Sequence, residues 1–197
     1  SSRAVILATG GAGKLWRETT NPSVATGDGV AMAHRAFAKT THMEFIQFHP
    51  TSLAIPGDQP FLITEAIRGA GGILMTIQEH QQFRTKKGIP KSYSYMKDVD
   101  PRGSLATRDI VARATDQVLK KTGDPYVVLV TEHLDSEKLQ INFPTIHHRL
   151  LEKGVILGPD PIPVTPAAHY MVGGIEVDSV GRCKTIDGST YERLFAI

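Results

Sequence analysis

EFIQFHPT, residues 44–51, sets a short apolar run against a histidine and a proline. Phe45, Ile46 and Phe48 are apolar and Glu44 and Gln47 polar, which predicts a strand over Met43–Phe48. His49-Pro50 then reads as its stop. Proline biases the residue before it toward an extended backbone. An imidazole is therefore locked where a strand meets either a core or a cleft. A core histidine and a ligand-binding one look alike here, so the rest of the chain has to separate them.

Toward the N-terminus, Arg3–Ala8 is an apolar run ended by Thr9-Gly10-Gly11, which suits a buried parallel strand entering a tight turn. TGDGVAMAHRAFA, residues 26–38, predicts a helix with Val30, Ala33 and Phe37 on one side and Thr26 or Asp28 at its start. Toward the C-terminus, Phe61–Arg68 reads as a short helix ended by glycines. Residues 78–103 are polar and read as a long loop or lid with a flexible tip near Lys86-Lys87-Gly88. Residues 104–121 form the best helical pattern, with Ser104 as cap, Asp109 near the start and Lys120-Lys121 at the end. Tyr126–Val130 predicts a strand and Pro144–Lys153 a helix stopped by Gly154. Ile175–Val177, Lys184–Ile186 and Leu194–Ile197 predict strands, with a turn over residues 178–181. The expected fold class is α+β, two pieces of an α/β domain flanking an α+β insertion.

The 197 residues allow one or two domains with a real core, and 41% apolar with 21% charged residues is ordinary for a globular protein. A formal charge of +2 is too small to argue for nucleic acid or a membrane surface, and neither is expected as partner. The single cysteine, Cys183, excludes an internal disulfide, and the simplest compartment is the cytoplasm. No apolar run approaches the ~20 residues of a membrane span. No initiator Met is present and both ends fall inside strand-like runs, which reads as a piece of a longer protein.

Several motifs fail. Counted from Gly11, the sixth place of G-x-G-x-x-G is Trp16, and the P-loop positions hold Ala8 and Leu15. His147 and His148 are adjacent, so on a helix they point ~100° apart, and no metal site is expected. Four stretches carry more chemistry than a core needs. They are His49, Thr64-Glu65 with Arg68, Arg108 at a helix start, and His169 after small residues. Each has a plain alternative: a surface ion pair for Glu65–Arg68, a solvated helix start for Arg108, a turn residue for His169. Together, two imidazoles, two guanidiniums and a hydroxyl suit a small dicarboxylate, which guanidinium grips by its planar fork.

ATGG (8–11), TGDG (26–29), MEFIQFHPT (43–51), LITEAIRGAGG (62–72), TRDIVARA (107–114) and PIPVTPAAHYMVGGI (161–175) occur in one order. Together they resemble the flavoprotein family of succinate dehydrogenase and fumarate reductase. PAAHY, FPTI (143–146) and RDIVARA lean toward its L-aspartate oxidase branch. The resemblance implies an FAD-binding α/β domain interrupted by a capping domain. Residues 1–42 and 172–197 would belong to the flavin domain and 43–171 to the cap. The first glycine fingerprint for the FAD pyrophosphate would lie upstream and an Arg-bearing segment downstream. The piece alone is therefore expected to be inactive and to retain no FAD.

The resemblance also implies roles. His49, Thr64 and His169 are similar to substrate-binding positions. Arg108 matches the proton donor of fumarate reduction, and Glu65 and Arg68 match the relay that reprotonates it. Ala8, Thr9, Gly10, Gly11 and Asp28 match flavin-contacting positions. The implied chemistry is hydride transfer from substrate C2 to flavin N5, turning L-aspartate into iminoaspartate for quinolinate and NAD synthesis, with fumarate or oxygen as acceptor. Quinolinate synthase would be a pathway partner. An arginine is a poor base at neutral pH, so in aspartate oxidation Arg108 is expected to act as an electrostatic clamp. A succinate dehydrogenase or fumarate reductase subunit, and a non-catalytic cap remnant, are the alternatives. The family pattern R-G-E-G departs here to Arg68-Gly-Ala70-Gly, and EHQQFRTKK replaces its usual turn.

Overall fold

The computed structural model describes residues 2–58 and 60–197. Ser1, of the expected segment 1–42, and Gln59, of segment 43–171, lie outside the described residues. The chain runs β1 (Val5–Leu7), α1 (Asp28–Arg35), β2 (Thr40–Thr41), β3 (Ile46–Leu53), α2 (Glu65–Gly69) and β4 (Ile73–Met75). It continues through α3 (Ile77–Lys86), α4 (Arg108–Thr122), β5 (Val127–Val130), α5 (Ser136–Asn142) and α6 (Pro144–Leu151). It ends with β6 (Ile162–Met171), β7 (Gly174–Ile175), β8 (Arg182–Lys184) and β9 (Thr190–Ala196). Contacts divide it into two compact units. One takes the residues up to Gln47 with Ala168–Ile197, the other Phe48–Ala167.

In the first unit, β1 pairs in parallel with β9, which pairs antiparallel with β8. β2 and β7 form a separate antiparallel pair. Ala33 of α1 packs with Ala38, Cys183 and Ala196. Gly27, left-handed at φ 79°, caps α1, and Phe37 at φ 61° follows its end. Phe37 is therefore off the predicted helical side and 68% exposed. β1 is also not the buried strand expected. It is an edge strand of this sheet, with Val5 and Ile6 exposed.

The second unit is built on a four-stranded sheet ordered β3-β6-β5-β4. All four residues of β5 are buried, because alternate side chains meet two different clusters. Val127 and Leu129 join Val111, Ala114, Leu139, Ile146 and Leu150 from α4, α5 and α6. Val128 and Val130 join Ile73, Met75 and the partly buried Phe83 of α3. Covering both faces turns an alternating pattern into the continuous run VVLV.

Several expectations change here. His49-Pro50 does not stop its strand. β3 continues to Leu53, since proline's fixed φ and the extended bias it places on His49 both suit a strand. Thr51 and Leu53 then pair with Ile63 and Phe61 through Ile63 N–H to Thr51 O and Leu53 N–H to Phe61 O. Residues 61–63 are thus extended, and α2 starts only at Glu65. The stretch 78–103 is not a loop. It holds most of α3 and two 3-10 turns, Pro90–Tyr93 and Tyr95–Asp98. Thr76 and Glu79 close a reciprocal capping box at the start of α3. Ser104 does not cap α4, whose N-cap is Thr107; Ser104 lies buried in a 3-10 turn and accepts from the Leu74 N–H. His169 lies in β6, not in a turn. Among the described residues no helix is long and apolar enough to cross a membrane.

Candidate functional site

The sequence-predicted residues fall into two sets, one in each unit. In the second unit two of them, Arg68 and Arg108, meet on the carboxylate of a third, Glu65. Thr64 is the N-cap of α2, its Oγ1 accepting from the Ala66 N–H at 3.4 Å, which leaves the hydroxyl proton available to donate. Capping starts α2 at Glu65 and puts Arg68 one turn on, at i+3. Arg68 Nη2 donates to Glu65 Oε1 at 2.9 Å. Arg108, the first residue of α4, donates from Nε to Glu65 Oε2 at 2.9 Å, and its Nη2 lies 2.9 Å from the same oxygen. Glu65 therefore bridges two guanidiniums carried by different helices.

Burial distinguishes the two cations. The Arg68 side chain is 2% exposed and the Arg108 side chain 34%. Arg68 Nη1 also donates to the carbonyls of Ser104 and Ala106, at 2.6 and 3.4 Å. That ties α2 to the entry of α4 and makes Arg68 a structural staple, not the surface ion pair of the plain alternative. Burial alone would raise the Glu65 carboxyl. The hydrogen bond and charge of Arg108, then the charges of Arg68 and His49, outweigh it and hold Glu65 below the usual carboxylate range. Burial pulls the Arg68 guanidinium below its ordinary value, with Glu65 opposing.

His49 is 1% exposed and sits inside β3. Its Nδ1 accepts from the Thr51 N–H at 3.3 Å. In the neutral ring the proton therefore lies on Nε2, as a donor. The resulting group, within the second unit, contains His49, Thr64, Glu65, Arg68 and Arg108. Arg68 and Arg108 meet on the Glu65 carboxylate and the charge of His49 also acts on it, a cationic setting suited to an anionic ligand.

In the first unit, the loop Ala8–Gly11 follows the carboxyl end of β1 with Ala8, Thr9 and Gly10 exposed. Gly10 is left-handed at φ 68°, and a Cβ there would meet no atom within 4 Å. Gly11 O accepts from the Gly27 N–H at 3.2 Å, which seats the loop against the start of α1. Asp28, in the first turn of α1, accepts from the Thr26 hydroxyl at 2.9 Å. A Cβ on Gly11 would lie 3.1 Å from Met171 Cβ. The loop thus packs closely on the end of β6, two residues past His169. His169 Nδ1 lies 2.9 Å from Thr20 Oγ1, and Asn21 Nδ2 donates to the His169 carbonyl at 2.7 Å. Thr20 and Asn21 were missed in the sequence. They lie about 150 positions from their partner, with no periodicity or motif around them, so no local signal could have found them. Ser104, whose carbonyl holds Arg68, was read only as a cap.

Among the described residues no three His, Cys, Asp or Glu side chains gather as a metal site. Residues 1–197 match the family model described as FAD binding domain. L-aspartate oxidase 1 of Ralstonia nicotianae is 49% identical over 177 residues, covering 90% of this chain and 31% of that protein. L-aspartate oxidase 2-a, chloroplastic, of Nicotiana tabacum is 46% identical over 188 residues, 91% of this chain and 27% of that protein. The chain therefore spans less than a third of the length of these curated relatives. A solved quinol-fumarate reductase with menaquinol molecules superposes with a TM-score of 0.76 at 35% identity, over 98% of this chain and 33% of that one.

Proposed function

We propose, since this chain belongs to the FAD binding domain family, that it is the substrate-handling part of a longer FAD-dependent oxidoreductase of the L-aspartate oxidase type. FAD is the cofactor of the family, and residues of the first unit fit it. Ala8–Gly11 offers exposed backbone at the carboxyl end of a parallel strand, open above Gly10 and next to a helix N-terminus, the kind of place where α/β sheets receive ligands. Ala8, Thr9, Gly10, Gly11 and Asp28 would hold the cofactor, which supplies the two-electron acceptor. On this reading the first unit is the flavin-domain portion and residues 48–167 form the capping domain.

The observation that carries the reading is the Arg108–Glu65–Arg68 chain. We assign a dicarboxylate substrate, L-aspartate, to the donors His49 and Thr64 with Arg108, all within the second unit. Glu65 grips the Nε–Nη2 edge of Arg108, so the guanidinium plane is set before a ligand arrives. In aspartate oxidation Arg108 acts as a fixed positive charge that clamps a carboxylate. In fumarate reduction it gives a proton, and Glu65 with Arg68 returns one to it. The identities of 46–49% to L-aspartate oxidases, against 35% to the fumarate reductase, favour aspartate over succinate as the reductant.

The test uses a full-length protein containing this chain. The wild type should consume L-aspartate, and Arg108→Leu should abolish fumarate reduction while the visible flavin bands are kept. Near-wild-type turnover by Arg108→Leu would reject its role. Consumption of succinate but not L-aspartate would move the protein to the succinate dehydrogenase type.

A further inference from the structure

β4 is the edge strand of the sheet ordered β3-β6-β5-β4. An edge strand has backbone groups that must be met from outside the sheet. Two buried serines meet them at Leu74. Ser104 Oγ accepts from the Leu74 N–H at 3.0 Å, and Ser94 Oγ donates to the Leu74 carbonyl at 2.6 Å. Ser104 lies in the 3-10 turn Gly103–Leu105, and Ser94 caps the turn Tyr95–Asp98. Two hydroxyls thus stand where the next strand would pair.

The two serines differ in what else they hold. Ser94 Oγ accepts from the Met96 N–H at 3.2 Å, which starts its own turn. Ser104 instead reaches the site through its carbonyl. That oxygen accepts from Arg68 Nη1 at 2.6 Å, while the Ala106 carbonyl is the weaker partner at 3.4 Å. Arg68 Nη2 donates to Glu65 Oε1, and Arg108 Nε to Glu65 Oε2, each at 2.9 Å. A guanidinium is rigid and planar. Bound at Nη2 alone, it would pivot on the carboxylate; a fixed carbonyl at Nη1 sets its plane. The carbonyl is fixed because the hydroxyl of the same residue is anchored to the sheet. A linked series therefore runs from the Leu74 amide through Ser104, Arg68 and Glu65 to Arg108.

We propose that Ser104 is a positioning residue for Arg108: its hydroxyl seats the turn on β4, and its carbonyl orients Arg68, hence Glu65 and the Arg108 guanidinium. Its effect on turnover rests on the functional reading above; its effect on Glu65 does not. The charges that act on Glu65 are those of Arg108, Arg68 and His49, and Arg68 is also faced by Tyr95. Loss of the Ser104 anchor loosens the Arg68 arm, so the Glu65 carboxyl should rise toward its ordinary value.

In the 197-residue chain, the ¹³C resonance of the Glu65 carboxyl is titrated against pH, and the Arg68 Nη resonances are read at neutral pH. In Ser104→Ala the Glu65 midpoint should move up. The Nη resonances, separate while the guanidinium is held, should broaden. Ser94→Ala strips the other hydroxyl from the same strand residue. It should lower the urea midpoint of unfolding and leave the Glu65 midpoint in place. Ser104→Thr keeps the acceptor and should keep the wild-type Glu65 midpoint. In the full-length protein containing this chain, Ser104→Ala should lower kcat for fumarate reduction about tenfold, and Ser94→Ala should leave it unchanged. A Glu65 midpoint unmoved by Ser104→Ala, or moved as far by Ser94→Ala or Ser104→Thr, overturns the proposal. So does a moved midpoint with unchanged turnover. If the wild-type enzyme acts on neither L-aspartate nor fumarate, the functional reading fails, and the Glu65 titration still decides whether Ser104 orients the chain. Should circular dichroism show Ser104→Ala unfolded, Ser104→Cys, of similar size but a weak acceptor, carries the same expectation.

Discussion

Glu65 divides one carboxylate between two guanidiniums, and that division sets how the protein responds to acid. Its folded-state pKa lies below the unfolded one, so its contribution to stability is present above the unfolded value. The contribution is lost as pH falls through the depressed folded value. Glu65→Gln should therefore flatten this part of the acid limb of a pH–stability curve, measured by urea unfolding from neutral pH down to the carboxylate range. An acid limb as steep as the wild type's would show that Glu65 is not coupled to its cations. Arg68 makes a different argument. Arg68→Met keeps the apolar stem but leaves two carbonyls and half of a carboxylate unmet. We expect a loss of about 2 kcal/mol, read as a lower urea midpoint at unchanged slope. Ala70, the C-cap of α2, lies two residues past Arg68 and adds no carboxylate there.

At the scale of elements, α3 shows what holds a polar helix in place. Its sequence, IQEHQQFRTK, gives little apolar face, and only His80 is fully buried. His80 Nε2 meets Glu132 Oε1 at 2.5 Å, and Phe83 packs beneath the sheet. The start is fixed by Thr76, which accepts from the Glu79 N–H at 3.1 Å, while Glu79 Oε2 accepts from the Thr76 N–H at 2.7 Å. Thr76→Ala should cost about 1 kcal/mol. Hydrogen exchange should speed first at amides 77–80. Uniform change across α3 would place the effect elsewhere. The T-x-x-E spacing was the one local signal that residues 78–103 contain a helix, and the polar composition hid it. β6 was hidden for the opposite reason. Pro163 and Pro166 argue against a strand, yet Val128↔Pro163 is a register pair, and Pro163 serves as an acceptor for the Ala54 N–H. Proline removes a donor but keeps its carbonyl.

Across the whole molecule, the two units carry unequal cores. The buried cluster of the first unit is Ala33, Ala38, Cys183 and Ala196, side chains with little apolar area. The second unit buries residues such as Ile63, Ile67, Leu74, Leu129, Leu150 and Ile162 in one cluster. Amides of β1, β8 and β9 should therefore open at lower free energy than those of β5, in native-state hydrogen exchange. Equal protection in both units would contradict this. The same contrast explains what could be read from the sequence. α4, β5 and α6 carry strong apolar patterns with end signals such as Lys120-Lys121 and Gly154, and they were legible apart from the start of α4. Glu65–Arg68 was legible as an i, i+3 pair. The tie from Glu65 to Arg108 spans 43 positions, and helix spacing says nothing about partners on another helix. It entered only through the ordered motifs.

Cys183 lies in that small first core, fully buried, and burial raises its thiol pKa. With no other sulfhydryl in the chain, a chromogenic disulfide reagent has one target. Its colour yield over time becomes a clock for how often the β8–β9 region breathes open.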